Sequence, residues 1–232
     1  MAPHVYLKNM KNLNMNTFRI VGDLSHLLSI FILLHTFYKR KSCAGISFKS
    51  QCLYLLIYIL RYLDLPTTWQ YIPYNTSLKL IFLCSSAWTL YLMTTRYRPT
   101  RDPSIDTFPS WILILGSILL GLLFHYQNTV LEISWAISIW LESVAILPQL
   151  FMMQRTGEAE TITAHYLFAL GIYRVMYIPN WVLRYIYENP PWFDGISITA
   201  GVVQMVLYSD FFWVYWKKVM KEGRRRRFEL LV

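Results

Sequence analysis

The sequence predicts an all-α membrane protein with seven transmembrane helices, and three observations lead to this prediction. Of its 232 residues, 55% are hydrophobic and only 15% are charged, whereas about 25% are charged in an average soluble protein. The apolar residues form segments of roughly 20, the length that a spanning helix needs. Lysine and arginine, which give a formal net charge of +9, concentrate in alternate connections. Membrane orientation therefore explains the basic surplus better than a nucleic-acid partner does.

Seven segments have the length and apolarity of a span, although the second and seventh are more polar than the others. They are 18–38, 50–67, 77–96, 109–126, 130–153, 164–186 and 195–216. Because the connections are short, we expect one seven-helix domain over 15–220, preceded by an extension over 1–14 and followed by a basic tail over 221–232. The first apolar run is longer than the core of a signal peptide, so we expect the first span itself to direct insertion.

The positive charges predict the orientation of these spans. They occur in the first, third and fifth connections and in the tail: Lys39, Arg40, Lys41 and Lys49; Arg98 and Arg101; Arg155; and Lys217, Lys218, Lys221 and Arg224 through Arg227. The other connections carry none. Because basic connections stay on the cytosolic side, we expect a luminal N-terminus and a cytosolic C-terminus.

An internal repeat relates the first spans to the fifth and sixth. A shift of 116 residues places His26 on Glu142 and Asp64 on Asn180 without a gap. Both copies run from the lumen to the cytosol, which predicts two parallel three-helix bundles joined by a linker helix, as in SWEET transporters. Pro148-Gln149 in span five also resembles the PQ-loop motif of that superfamily.

Ionisable side chains are costly inside a membrane and are therefore candidates for function. Most of them fall in the predicted luminal halves of spans one, two, five and six, beside aromatic and amide side chains. The set comprises Arg19, Asp23, His26, Arg61, Asp64, Glu132, Trp135, Glu142, Tyr173, Arg174, Tyr177, Asn180, Trp181 and Arg184. Helical spacing places residues 19, 23 and 26 on one face. We expect a water-filled cavity that opens to the lumen, whereas Asp210 lies near the cytosolic end of span seven.

Two interpretations of these charges are open. They form internal salt bridges that hold the bundle together, or they bind an anionic ligand. Arg174 and Glu142 are the deepest and are expected to pair with each other. Arg19, Arg61 and Arg184 lie nearer the mouth, and arginine binds carboxylates through two parallel hydrogen bonds. His26 is either a neutral side chain bonded within span one or a proton switch, since histidine titrates near luminal pH.

Several blocks of sequence resemble the ER lumen protein-retaining receptor family, the KDEL/HDEL receptors. They are Met15-Asn16-Thr17-Phe18-Arg19, Gly22-Asp23-Leu24-Ser25-His26, Arg61-Tyr62-Leu63-Asp64-Leu65, Leu141-Glu142-Ser143-Val144-Ala145-Ile146-Leu147-Pro148-Gln149-Leu150, Thr156-Gly157-Glu158-Ala159-Glu160-Thr161 and Ser209-Asp210-Phe211-Phe212. The resemblance runs from Met15 to about Met220. Ile178-Pro179-Asn180-Trp181 resembles the fungal branch.

The resemblance implies a receptor, not an enzyme, that needs no cofactor or metal. It would capture escaped ER proteins by a C-terminal x-Asp-Glu-Leu signal in the acidic Golgi and release them in the ER. Arg61 would hold the terminal carboxylate, Arg19 the Glu and Arg184 the Asp. Asp64, Glu132 and Trp135 would read the fourth residue from the end. The remaining predicted ligand contacts are Tyr62, Tyr177, Asn180 and Trp181.

The resemblance also assigns a proton-sensing network and a trafficking signal. The network would consist of His26, Glu142, Tyr173 and Arg174. Asp210 and the basic tail, with Lys217, Lys218 and Lys221, would serve return transport and recruitment of the COPI coat. The tail lacks the usual lysine-centred motif, so a second interpretation is a positive tail that contacts anionic lipid.

Two other classes of function fit the sequence less well. A solute transporter of the same fold needs a site near mid-membrane that both sides can reach, whereas these charges crowd the luminal half. An intramembrane hydrolase needs a nucleophile beside a base, and Ser25 and His26 do not face each other because adjacent helical residues diverge.

Overall fold

A computed structural model describes residues 16–68, 73–156, 161–188 and 193–229, and every regular element in these ranges is a helix. The helices are α1 (Thr17–Arg40), α2 (Phe48–Arg61), α3 (Leu65–Thr68), α4 (Pro73–Thr94), α5 (Ser110–Leu123), α6 (Val130–Val144), α7 (Leu147–Thr156), α8 (Thr161–Tyr187) and α9 (Gly195–Glu229), with a 3₁₀ turn at Arg98–Thr100. The prediction of an all-α chain is confirmed.

Four stretches of helix in the described ranges are long and apolar enough to cross a membrane. They are Thr17–Arg40, Tyr74–Thr94, Val130–Thr156 and Gly195–Trp213. Ser110–Leu123 is a shorter apolar helix. Many large apolar side chains on these helices are exposed, including Phe31, Leu119 and Val206, as expected for surfaces that face lipid rather than water. The chain is therefore a multi-pass membrane protein.

The fifth predicted span is not one continuous α-helix. A turn at residues 145 and 146 separates α6 from α7, two residues before Pro148. Proline lacks the backbone N–H that would continue the helix, and its ring clashes with the carbonyl four residues earlier. The predicted span over 130–153 is thus present as one apolar stretch, Val130–Thr156, and the turn before Pro148 lies within it.

Polar caps set where the helices begin. The Asn16 side chain accepts a hydrogen bond from the Arg19 N–H (2.9 Å) and starts α1. Ser47 accepts from the Ser50 N–H (3.1 Å) and starts α2, and Thr129 caps α6 in the same way. Such side-chain oxygens satisfy N–H groups that have no partner within the helix.

The helix contacts bring four helices together around the candidate site. α1 packs along α8, and α2 packs against both α4 and α6. α9 packs on α6 and α8, while α5 packs on α6. Gly121 of α5 lies so close to Ile137 of α6 that an added Cβ would approach the Ile137 backbone nitrogen to 2.8 Å. Small residues permit this close approach of helices in membranes.

We call the end of the bundle where α1 begins and α2 ends the first end, and the opposite end the second end. At the second end, Gln149 joins α7 to the connection between α1 and α2. Its side chain accepts from the Ser47 N–H (2.8 Å) and donates to the Gly45 carbonyl (2.9 Å). Asp106 accepts from the Ser47 hydroxyl (2.9 Å) and the Lys49 N–H (3.1 Å). The Pro148-Gln149 motif therefore ties this end of the bundle together.

Candidate ligand-binding site

The predicted polar side chains of α1, α2, α6 and α8 gather near the first end. These helices place side chains there because α1 contacts α8 while α2 contacts α6. The region divides into a buried ion cluster around Glu142, a histidine pocket, an Asp23 cluster and a set of pairs closer to the helix ends.

Glu142 of α6 is the centre of the buried ion cluster. Its side chain is only 3% exposed, and its two carboxylate oxygens pair with Arg61 of α2 and Arg174 of α8. The Tyr173 hydroxyl also donates to this carboxylate (3.2 Å). Arg61 additionally donates to the hydroxyl and the carbonyl of Ser138, both at 3.1 Å. The expected pairing of Arg174 with Glu142 is present, and Arg61 shares the same carboxylate.

His26 lies in a pocket formed by four helices. The hydroxyl of Tyr58 in α2 lies 2.9 Å from His26 Nε2. The imidazole stacks between Phe82 of α4 and Tyr173 of α8, with ring centroids 4.3 and 4.4 Å away. Its polar partner is therefore on another helix, not within α1 as one sequence interpretation expected. Through Tyr173, His26 is one contact away from Glu142.

Asp23 forms a second cluster on the same face of α1. Its carboxylate accepts hydrogen bonds from the hydroxyls of Tyr177 (2.7 Å) and Tyr74 (3.0 Å). Arg19 Nε lies 3.9 Å from this carboxylate, and Arg19 Nη2 donates to the Asn75 side chain (2.8 Å). Asp23 thus links α1 to α4 and α8 and holds Arg19 beside it.

Two further pairs lie close to the ends of their helices. Arg184 donates two hydrogen bonds, of 2.7 and 3.2 Å, to the carboxylate of Glu188. Lys79 of α4 pairs with Asp64 at 2.6 Å and lies 5.7 Å from the centre of the Tyr62 ring. Both pairs are more exposed than the Glu142 cluster.

The other predicted contacts lie around these clusters. Trp135 lies one turn beyond Glu132 in α6, with its ring 6.4 Å from that of Tyr126. Asn180 accepts from the Asn16 side chain (2.7 Å), and the Trp181 ring centre is 6.2 Å from that of Tyr177. They extend the polar and aromatic region along α6 and α8.

The sequence pattern did not predict several residues of this region. They are Tyr58, Tyr74, Asn75, Lys79, Phe82, Ser138 and Glu188. Spacing could have found Ser138, which lies one helical turn before Glu142 on the same face. The charge of Lys79 within span three was a further signal. The helix α4 contributes four of these residues. The sequence pattern predicts the site on spans one, two, five and six only, and so does not include α4.

The predicted trafficking residues lie on α9. The side chains of Asp210, Lys217, Lys218 and Lys221 fall outside the described residues, as do the extension 1–14 and residues 230–232.

The chain is similar to known receptors over nearly its whole length. Residues 42–184 match the family described as ER lumen protein retaining receptor. The ER lumen protein-retaining receptor of Drosophila melanogaster is 53% identical over 207 residues, which cover 89% of this chain and 96% of the relative. That of Caenorhabditis briggsae is 50% identical over 211 residues, covering 91% and 98%. Receptor 2 of Gallus gallus is 53% identical over 207 residues, covering 89% and 96%.

Proposed function

The chain belongs to the ER lumen protein-retaining receptor family, and from that premise we propose that its arginine site binds the C-terminal Lys/His-Asp-Glu-Leu signal of escaped ER proteins. Family membership confirms that the chain is a receptor and not an enzyme, and it gives no support to the alternative of a solute transporter. The receptor captures its ligands in the Golgi and returns them to the ER.

One observation carries the assignment of the site. The side chains of Arg19, Arg61 and Arg184 keep 14%, 16% and 17% of their surface exposed, against 9% for Arg174. A ligand that enters at the first end can therefore reach the first three guanidinium groups more easily than the fourth. Three guanidinium groups match a peptide that presents a terminal carboxylate and two acidic side chains, since arginine binds carboxylates in a bidentate manner.

Each group of the peptide then has a proposed partner. Arg61 holds the terminal carboxylate, Arg19 the Glu side chain and Arg184 the Asp side chain. Asp64, Glu132 and Trp135 read the fourth residue from the end. The walls are formed by Tyr62, Tyr177, Asn180 and Trp181. Because Glu142 and Glu188 already engage Arg61 and Arg184, the ligand carboxylates exchange with or add to these internal partners.

His26 supplies the dependence on pH. Protonation makes both ring nitrogens hydrogen-bond donors, so the Tyr58 hydroxyl 2.9 Å away can then only accept from Nε2. The added charge also acts on Tyr173, which stacks on His26 and donates to Glu142. Glu142 and Arg174 complete the network that links protonation to Arg61. We expect acid to weaken the interaction of Arg61 with Glu142, which leaves Arg61 more available to the ligand and so strengthens ligand binding.

The arrangement of spans in this proposal is seven helices in two parallel bundles, over residues 15–220. The helix contacts support it because they follow the repeat. The repeat maps α1 on α6, α2 on α8 and α4 on α9. Under this mapping the contact of α1 with α8 corresponds to that of α6 with α2, and the contact of α2 with α4 corresponds to that of α8 with α9. The first end faces the lumen, so the N-terminus is luminal and the C-terminus cytosolic in ER and Golgi membranes.

The cytosolic end of α9 is the proposed trafficking element. The helical backbone continues to Glu229, beyond the apolar segment that ends at Trp213. Lys217 and Lys221 are spaced to share one helical face, and with Lys218 and Asp210 they would present the signal that the COPI coat reads. Replacing the three lysines with alanine is expected to leave peptide binding intact and to abolish coat binding. Unchanged coat binding would favour a tail that contacts lipid instead.

Peptide titration of the purified full-length receptor tests the ligand assignment. We expect a peptide ending in His-Asp-Glu-Leu to bind more tightly at about pH 5–6, where histidine becomes charged, than at neutrality. Its C-terminally amidated form, which lacks the carboxylate proposed for Arg61, is the matched control. Equal binding of the two peptides would refute the role of the terminal carboxylate.

A further inference from the structure

A small cavity with several polar side chains in its wall lies beside His26, on the side nearer the second end. Its volume is about 30 Å³, and its walls include His26, Gln51, Tyr54, Tyr58, Ser86 and Tyr166. Apolar side chains such as Leu33 and Leu170 complete the lining. The clusters that we assign to the peptide lie on the other side of His26, so this cavity is separate from the proposed ligand contacts.

Two hydroxyl groups of the wall make no well-aligned hydrogen bond to the described residues. Tyr54 and Ser86 are 5% and 7% exposed, and neither hydroxyl makes a hydrogen bond within the described residues. The Tyr54 hydroxyl lies close to that of Tyr208, which is also buried and also lacks a well-aligned hydrogen bond in the described part of the chain. Gln51, by contrast, donates to the Tyr166 hydroxyl at 3.2 Å. Buried polar groups are almost always satisfied, either by protein or by ordered water.

We propose that this cavity binds ordered water that hydrates His26 from the side nearer the second end. A cavity of this volume is large enough to hold a water molecule, which needs two to four polar partners. The hydroxyls of Tyr54 and Ser86, together with the groups on Gln51, Tyr58 and Tyr166, supply these partners. The role of this water rests on the proposed function of His26 as the proton switch.

The surroundings of His26 explain why this water matters. The groups that face or act on it are Tyr58 and Arg61 of α2, Phe82 of α4, Glu142 of α6, and Tyr173 and Arg174 of α8. Two of these are cationic and one is anionic, and Asp23 one turn away on α1 is engaged by tyrosine hydroxyls. An imidazolium between two aromatic rings is poorly solvated. Water in the adjacent cavity offers it hydration without opening the peptide site.

Radiolytic footprinting of the full-length receptor in lipid nanodiscs tests the water site directly. A brief X-ray pulse in ¹⁸O-labelled water hydroxylates tyrosine rings that lie beside water, and mass spectrometry locates the label. We expect severalfold faster labelling of Tyr54 than of Tyr97, which is 4% exposed, is equally buried and packs against Phe37 outside the cavity. Equal, slow labelling of both rings would overturn the water site.

Matched variants test the coupling of this water to His26. Ser86→Val removes a cavity hydroxyl and fills part of the space, and Tyr54→Phe removes the other hydroxyl while keeping the shape of the ring. Thr89→Val is the control, because Thr89 lies one turn away in α4 and its hydroxyl already bonds to the Ser85 carbonyl at 2.8 Å. We expect both cavity variants to move the midpoint of the pH dependence of His-Asp-Glu-Leu peptide binding to lower pH, with unchanged binding at the acidic plateau.

The outcomes separate this inference from the proposed function. If Thr89→Val and both cavity variants keep the wild-type midpoint, hydration of His26 by the cavity is refuted while the receptor function stands. If wild-type binding itself does not depend on pH, the switch role of His26 is refuted, and footprinting alone decides whether the cavity holds water. Tyr54→Phe preserves packing, so this variant alone tests the coupling to His26 if Ser86→Val fails to fold.

Discussion

Replacing Glu142 with glutamine tests the buried ion cluster most severely. The substitution keeps the size of the side chain but removes the charge that pairs with Arg61 and Arg174. Arg174 is the more dependent of the two, because its side chain is only 9% exposed and its Nε has no hydrogen-bond partner in the described residues. Arg61 keeps its two bonds to Ser138. The variant therefore leaves at least one buried guanidinium without its counter-ion.

The magnitude follows from this burial. Removing one partner of a buried ion pair costs about 3–5 kcal/mol, since it leaves an uncompensated charge. For a protein of this length, each kcal/mol lowers the melting temperature by about 2–4 °C. We therefore expect Glu142→Gln to lower the Tm by about 6–20 °C at neutral pH. Intrinsic tryptophan fluorescence during heating of the detergent-solubilised receptor measures this shift.

Glu188→Gln is the matched control for this measurement. It makes the same chemical change in a pair one helical turn apart, Arg184 with Glu188, whose side chains are each 17% exposed. Partly solvated pairs with this spacing contribute about 0.3–0.5 kcal/mol, which corresponds to a shift of no more than about 2 °C. Equal shifts for the two variants, or no shift for Glu142→Gln, would refute the conclusion that Glu142 stabilises Arg61 and Arg174.

Three further predictions concern the ligand site and the packing. Arg19→Ala and Arg184→Ala are each expected to weaken capture of a His-Asp-Glu-Leu peptide by about 10-fold or more, because a hydrogen bond to a charged group contributes about 1.5–3 kcal/mol; unchanged affinity in calorimetry would remove that arginine from the site. Gln149→Ala should lower stability by about 2 kcal/mol, since the two hydrogen bonds of its side chain are lost at about 1 kcal/mol each, and an unchanged melting curve would contradict this. Gly121→Ala should cost about 1–3 kcal/mol by overpacking, whereas Gly116→Ala, with nothing within 4 Å of an added Cβ, should not destabilise.

Much of this protein could be predicted from the sequence because hydropathy, helical spacing and charge are local properties. They located the helical segments, the shared face of Arg19, Asp23 and His26, and the depth of Arg174 beside Glu142. Apart from the pair of Arg174 with Glu142, the choice of partners could not be obtained in this way. It depends on how the helices pack, which brings Tyr58 to His26 and Arg61 to Glu142.

The contribution of α4 shows the same limit. Tyr74 and Asn75 precede the predicted span three over 77–96, so its pattern did not mark them as neighbours of Arg19 and Asp23. The structure places both there because the start of α4 lies at the first end, beside the start of α1. The turn before Pro148 was missed for a different reason: the apolar pattern of span five continues through it, although proline restarts the helix.

We propose that a carboxylate-binding arginine site captures a retrieval peptide under the control of a histidine. Calorimetric titration of the wild-type receptor with a His-Asp-Glu-Leu peptide at about pH 5.5 and at neutral pH, on either side of the usual histidine pKa, tests it most directly. We expect tight binding at the acidic pH, binding at least about 10-fold weaker at neutrality and no binding of the amidated peptide, since each of these losses removes at least one charge-assisted interaction. Binding that is the same at both pH values, or the same for the amidated peptide, would contradict the claim.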